Sequence, residues 1–193
     1  MALDKNFWNE RYLTGTTGWD LGKVSDPIAT YVDQLTDKNL RILIPGCGNA
    51  YEAAYLVEKG FMDITLIDIA SELVKSISRQ FEQTPAVKVI EGDFFEHQGE
   101  YDLILEQTFF CALDPSLRQQ YVDHMHTLLS EKGKVAGVLF NKLFEQQGPP
   151  FGGLSEEYQQ LFKSHFRIRT LQPCYNSVSP RAGSEVFIIL EKA

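Results

Sequence analysis

A mostly parallel β-sheet covered by helices on both faces is the fold this sequence predicts. Three observations carry the prediction. Short apolar runs alternate with helix-spaced segments through the body of the chain. A glycine-rich turn, Pro45-Gly46-Cys47-Gly48, joins the first run to the segment after it. An acid, Asp68, closes the second run about twenty residues further on, a spacing that nucleotide-binding folds use.

The elements follow in order. Residues 40–45 form an apolar run ended by Pro-Gly, which reads as a buried strand. Ala53, Leu56 and Val57 recur at helical spacing over 51–59, and Gly60 stops that helix. Residues 64–68 read as the second strand. The stretch 72–81 is a helix with Leu73, Ile77 and Phe81 on one face. Strands three and four are 87–90 and 101–105. Asp114-Pro115 marks a helix start, Asp as cap and Pro in the first turn, with Leu117, Tyr121, Met125 and Leu128 along its face. Gly133 precedes a fifth strand at 134–140, 155–164 is a helix, and 167–171 and 185–190 are the last two strands.

Two stretches stand outside the alternation. The arm 7–21 is rich in aromatics and leads to Asp26-Pro27, a further cap-and-start signal. The stretch 144–153, with Gln147 near its centre, has too much Gly and Pro for regular structure. Both are candidate lids over the sheet. The chain therefore reads as one domain over 1–193, with 1–36 as an arm and helix covering the site and 142–165 as an insertion.

Composition excludes several functions. With 193 residues the chain supports one full core. A formal net charge of −8 argues against a nucleic-acid partner, which clustered Lys and Arg would serve. No apolar run is long enough to span a bilayer. Met1 to Asn6 lacks the pattern of a signal peptide, so a cytoplasmic location is expected. Cys47, Cys111 and Cys174 are far apart, and His97, His124, His126 and His165 lack ligand spacing. The histidines read as solvated surface residues, and no metal is expected.

Ligands in such sheets bind beyond the strand tips, beside the first strand. Gly46 and Gly48 let the backbone approach a ligand there, and Asp68 can accept from both ribose hydroxyls; the alternative is a tight turn with a capping Asp. Asp93 and Phe94 end the third strand region, suited to an adenine amine and ring or to an ordinary turn. The third glycine of a dinucleotide loop is missing, because Tyr51 occupies its place. S-adenosylmethionine, which carries no phosphate, does not need it. Phe7, Trp8, Tyr12 and Trp19 either staple the arm to the core or cover a sulfonium, which aromatic faces attract.

Assembled, these residues resemble the thiopurine S-methyltransferase family, and within it the halide, thiol and thiocyanate methyltransferases. The matching blocks include Phe7-Trp8-Asn9-Glu10-Arg11-Tyr12, Gly18-Trp19-Asp20-Leu21-Gly22, Ile44-Pro45-Gly46-Cys47-Gly48, Leu66-Ile67-Asp68-Ile69, Thr108-Phe109-Phe110-Cys111-Ala112-Leu113 and Gly148-Pro149-Pro150-Phe151. The resemblance implies a Rossmann-like class I methyltransferase with seven strands and an antiparallel last strand. Its cofactor would be S-adenosylmethionine, held by Trp8, Tyr12, Trp19, Gly46, Gly48, Asp68, Ile69, Asp93, Phe94 and Gln107. Its acceptor would be a small soft nucleophile such as a thiol, a thiopurine-like compound or a halide. Tyr12, Gln107, Phe110 and Arg181 are candidates to orient that acceptor, although Arg181 reads equally as a solvated loop residue. Glu106-Gln107 departs from the usual family residues near the transferred methyl. An anionic acceptor attacks in line and needs little base help, so no catalytic His or Cys is expected. The alternatives are a nicotinamide-dependent oxidoreductase and a non-catalytic S-adenosylmethionine-binding protein. A monomer is expected.

Overall fold

The computed structural model describes residues 3–146 and 148–193; Met1, Ala2 and Gln147 lie outside the described residues. The apolar runs become strands, and the central ones, β1, β2 and β4, are buried on both faces. They form one sheet in the order β3-β2-β1-β4-β5-β7-β6. In chain order the strands are β1 (Arg41–Pro45), β2 (Asp63–Asp68), β3 (Val87–Glu91), β4 (Tyr101–Gln107), β5 (Leu129–Phe140), β6 (Phe166–Pro173) and β7 (Glu185–Lys192). β1 to β5 pair in parallel, and β7 runs antiparallel to both β5 and β6. The chain order reverses between β1 and β4, which sets the switch point at the tip of β1.

Helices cover both faces, so the core has two halves. On one face α2 (Asp26–Val32), α3 (Tyr51–Glu58) and α4 (Ser71–Gln80) bury Ile28, Val32, Ala53, Leu56, Leu73 and Ile77. On the other, α5 (Arg118–Leu128) and α6 (Ser155–Phe162) bury Tyr121, Met125, Leu128, Tyr158 and Phe162. A further helix, α1 (Lys5–Leu13), buries no residue fully. It is begun by Asp4, whose carboxylate accepts from the Phe7 N–H at 3.0 Å.

Three local expectations need correction. β5 begins at Leu129, five residues before the predicted start, because Leu129 pairs with Tyr101 across a register shift. Asp114 caps a single 3₁₀ turn, Pro115–Leu117, and α5 starts only at Arg118. Ser25, not Asp26, occupies the cap position of α2.

Gly137 shows how tightly the sheet is built. It pairs with Glu106 of β4, and a Cβ there would lie 1.8 Å from the Glu106 carbonyl oxygen. We expect Gly137→Ala to destabilise the protein by about 2–3 kcal/mol, since backbone must move to admit the methyl. Urea denaturation with an unchanged midpoint would contradict this packing.

Candidate active site

A cavity of about 710 Å³ opens at the carboxyl ends of β1, β2 and β4, where the strand order reverses. That volume suits a small-molecule site. After Pro45 the chain turns through Gly46, Gly48 and Ala50, all left-handed with φ of 55°, 52° and 57°. Gly46 has no substitute, because a Cβ there would sit 2.1 Å from Phe109 Cδ2. The close approach that the glycine permits is therefore to a phenyl ring of the protein itself.

Asp68 ends β2 beneath this loop. Its Oδ1 accepts from the Ala70 N–H at 2.9 Å and its Oδ2 from the Gly48 N–H at 3.4 Å. Burial raises its carboxyl to about 6, against the lowering effect of the Ala70, Gly48 and Ile69 N–H groups. Burial and the neighbouring Asp68 together push the Tyr12 hydroxyl far above the ordinary phenol range, so it stays neutral.

The aromatic arm roofs the cavity. Trp8 meets Trp19 edge-to-face with centroids 5.6 Å apart, and Tyr12 meets Trp19 at 5.9 Å. Polar tethers hold the arm down. Asn9 Oδ1 accepts from the Glu72 N–H at 3.1 Å, so α1 supplies a cap for α4. Lys5 pairs with Glu91 at 2.5 Å. Asp20 accepts from the Gly22 N–H at 2.7 Å, from the Asn49 amide and from the Tyr51 hydroxyl at 3.3 Å, tying the arm to the glycine loop. Arg181 donates to the Trp19 carbonyl at 2.7 Å, pairs with buried Glu185 at 3.4 Å and lies over the Phe140 ring at 5.2 Å.

The other half of the cavity lies beyond β4. Gln107 ends that strand, and Thr108 follows with φ of 58°, a costly conformation for a β-branched residue. The chain then enters a 3₁₀ turn that swings Phe109 into the cavity and Phe110 inward. Leu113, Leu117, Phe140, Pro149 and Pro150 complete an apolar wall. Behind it Glu106 is fully buried, accepting from the Tyr121 hydroxyl at 2.5 Å and the Phe110 N–H at 3.2 Å. Burial raises its carboxyl to about 7, opposed by those donors.

The family model described as thiopurine S-methyltransferase (TPMT) matches residues 3–191. The chain belongs to the thiopurine S-methyltransferase family. Among relatives, a protein of Arabidopsis thaliana named probable thiol methyltransferase 2 is 30% identical over 184 residues, 92% of this chain and 81% of its own. Thiocyanate methyltransferase 1 of Brassica oleracea is 23% identical over 95% of this chain and 84% of its own. The thiopurine S-methyltransferase of Acinetobacter baylyi is 25% identical over 94% of both. The fold matches that of the Burkholderia thailandensis 1,6-didemethyltoxoflavin-N1-methyltransferase, solved with its substrate and S-adenosylhomocysteine (TM-score 0.77, 18% identity, 98% of this chain and 87% of that one). It also matches magnesium protoporphyrin IX methyltransferase of Synechocystis PCC 6803 with bound S-adenosylmethionine (TM-score 0.76, 12% identity, 98% and 95%). S-adenosylmethionine-dependent methyl transfer is therefore the chemistry of this thiopurine S-methyltransferase family member. The oxidoreductase and the non-catalytic binder are set aside.

Of the sequence-predicted residues, Trp8, Tyr12, Trp19, Gly46, Ile69, Asp68, Asp93, Phe94, Gln107 and Arg181 line this one cavity. Asp93 also makes a turn, accepting from the Phe95 N–H at 2.9 Å, so its two readings coexist. Gly48 is set back from the wall and reaches the site through Asp68. Phe110 is a correction: it is fully buried against Tyr121, Tyr158 and Phe162, and Phe109 takes the wall position. The 3₁₀ turn fixes which of the two rings faces inward. Of the Glu106-Gln107 pair, Gln107 lines the cavity and Glu106 lies buried behind its wall. Arg181 is no solvated loop residue, being largely covered by its three partners. The histidines are half-buried, with His124 edge-on to Phe94 at 4.8 Å. Cys111 is buried and accepts from the Phe140 N–H, and burial pushes its thiol up to about 12, which leaves it a spectator. Sequence reasoning missed the tethers of Asp20, whose signal was the Asp-x-Gly turn chemistry of Asp20-Leu21-Gly22.

Glu106 links the site to pH. Its folded value of about 7 exceeds the ordinary 4.5, so the native state binds more protons across that interval. Its contribution is full below about 4.5 and is lost as pH rises through about 7; Glu52 and Asp68 act the same way. We expect Glu106→Gln, which keeps an acceptor for Tyr121, to flatten the decline in Tm between pH 5 and 8 without abolishing it. An identical slope in the variant would show that Glu106 is ionised throughout.

Proposed function

We propose that this methyltransferase transfers the methyl of S-adenosylmethionine to a small soft nucleophile, a thiol, a thiopurine-like thiol or a halide-like anion. The observation that carries the reading is Asp68, aimed from the tip of β2 into a cavity roofed by Trp8 and Trp19. These residues suit the cofactor chemically. A desolvated carboxylate accepts from a hydroxyl pair, and aromatic faces attract a sulfonium. When bound, S-adenosylmethionine supplies a methyl group made electrophilic by its positive sulfur.

The chain's own residues do the rest. Asp68, with Gly46 and Ile69 beside it, fixes the nucleoside end, and Asp93 and Phe94 take the adenine side. The arm within 1–36 and the insertion within 142–165 exclude water from the reacting centre. Phe109, Phe140, Pro149 and Pro150 give the acceptor an apolar enclosure, with Tyr12 and Gln107 as its polar contacts. Arg181 orders the roof over this half of the site, so its charge is spent within the protein. An acceptor that arrives as an anion has left its proton in water, which is why the site needs no general base. The names of the plant relatives, thiol and thiocyanate methyltransferase, support a sulfur acceptor.

No helix of the described residues is long and apolar enough to cross a membrane. The three free buried cysteines support a reducing, cytoplasmic setting, and the charge of −8 supports action on small molecules and not on nucleic acid.

Titration calorimetry tests the cofactor half. We expect Asp68→Asn to weaken S-adenosylmethionine binding by roughly 10- to 100-fold, the size of a lost charge-assisted hydrogen-bond pair. Unchanged affinity would overturn the assignment. Incubation with labelled S-adenosylmethionine and a panel of thiols, thiocyanate and halides tests the acceptor half; cofactor binding without label transfer to any of them would refute the acceptor class. Removing the residues before Asp20 should likewise weaken cofactor binding, and wild-type affinity in that variant would reduce the arm to packing.

A further inference from the structure

Ser25 occupies the N-cap position of α2, where a serine hydroxyl ordinarily accepts from the first-turn N–H groups. In this protein it makes no such bond. Its buried hydroxyl instead donates to Gln107 Oε1, 82 residues away, at 2.5 Å. A carboxamide has one acceptor end and one donor end. With Oε1 turned to Ser25, the Nε2 group points away from it. Gln107 lines the cavity, and among the described residues nothing accepts from Nε2. Its two N–H bonds are therefore offered to the cavity.

Position decides what they face. Asp68 and Asp93 follow β2 and β3, on one side of β1, whereas Gln107 ends β4 on the other side. The charged or titratable groups lining the cavity are Arg11, Tyr12, Asp68, Asp93, Asp114 and Arg181. Of these, Arg181 stands on the β5–β7 side, and it is already paired with Glu185 and bound to the Trp19 carbonyl. Asp114 is occupied by Ser116. Arg11 lies over the Phe7 ring of the arm at 4.9 Å, and Tyr12 and Gln146 also line the cavity; the neutral amide of Gln107 is the donor at the β4 tip whose direction another side chain fixes.

We propose that Ser25 is a positioning residue that locks the Gln107 carboxamide with its N–H groups toward the acceptor, so that the site holds a soft anion, a thiolate or pseudohalide, by a neutral donor. A neutral donor has a physical advantage over a cation. It orients a nucleophile without neutralising the charge that makes it attack, and it adds no positive charge beside a sulfonium. The proposal rests on the reading of the acceptor half given above.

The test uses Ser25→Ala, Ser25→Thr, Gln107→Leu and the Ser25→Ala/Gln107→Leu pair. Ser25→Ala removes no helix-cap bond, so the fold is retained. Two quantities are read: the Kd of thiocyanate on the protein saturated with S-adenosylhomocysteine, and kcat/KM for methylation of 2-mercaptoethanol. Ser25→Ala should weaken thiocyanate and lower kcat/KM by about five- to tenfold, the range for one misdirected hydrogen bond. S-adenosylhomocysteine affinity should stay within about twofold, and Ser25→Thr should restore most of the loss. In the Gln107→Leu background Ser25→Ala should add nothing, as for residues acting through one group. An equal loss in both backgrounds would overturn the proposal. So would weakened S-adenosylhomocysteine binding with thiocyanate unaffected. If the unaltered protein neither binds thiocyanate nor methylates any thiol, the acceptor class itself fails; binding by the unaltered protein with Ser25→Ala indifferent sinks only the role of Ser25.

Discussion

The burial of the Asp68 carboxylate organises this site. Among the described residues nothing positively charged is paired with it: its partners are the N–H groups of Ala70 and Gly48, and its neighbour is a neutral tyrosine. Desolvation without a counter-charge raises the energy of the ionised form, which the elevated value of about 6 expresses. A carboxylate in that condition gains more from a ligand hydroxyl or a nearby cation than an exposed one would. The left-handed turns at Gly46, Gly48 and Ala50 follow from the same requirement, because they bring the Gly48 N–H round to the β2 tip.

The roof over Asp68 is built from weak parts. Its helix has no buried side chain, and its tethers are hydrogen bonds and partly exposed ion pairs, each contributing little by itself. The ties come from four directions: α4 through Asn9, β3 through Lys5, the glycine loop through Asp20, and β7 through Arg181. A lid of this kind is ordered by several small contributions and opens when a few are lost together, as a site that exchanges cofactor requires. Arg181 matters most among them because it is the tie between the arm and the acceptor half.

The strands and the glycine loop were legible because their signals are local. A run buried on both faces is apolar throughout, and a tight turn into a helix needs glycine at fixed spacing. The alternation therefore read correctly from β1 to β7, and the strand-tip residues it singled out, Asp68 and Gln107 among them, line one cavity. What was not legible depends on phase or on distance. Phe109 and Phe110 are chemically alike, and only the 3₁₀ turn after Thr108 decides which one faces the cavity. The helix α1 has no fully buried side chain, because Phe7, Trp8 and Tyr12 line the cavity and Trp8 and Tyr12 pack only in part against the core. The early start of β5 depends on a register shift opposite Tyr101, which no periodicity records. The Ser25–Gln107 bond joins residues that the sequence keeps far apart.

Charge is distributed unevenly across the switch point, and that asymmetry gives the two halves their roles. On the β2–β3 side the groups facing the cavity are carboxylates, Asp68 and Asp93, under aromatic rings. On the β4–β5 side Arg181 is already paired, the buried acid Glu106 is turned behind the wall, and Phe109, Leu113, Leu117, Phe140, Pro149 and Pro150 give a largely apolar surface with the Gln107 carboxamide at its edge. A positive sulfur is stabilised only toward the first side, and an electron-rich acceptor is repelled least on the second. Under the proposed function, two reactants of opposite character would thus be sorted to opposite sides of β1. Sorting by charge leaves little for acid–base groups to do, because alignment in a dry enclosure is the remaining barrier.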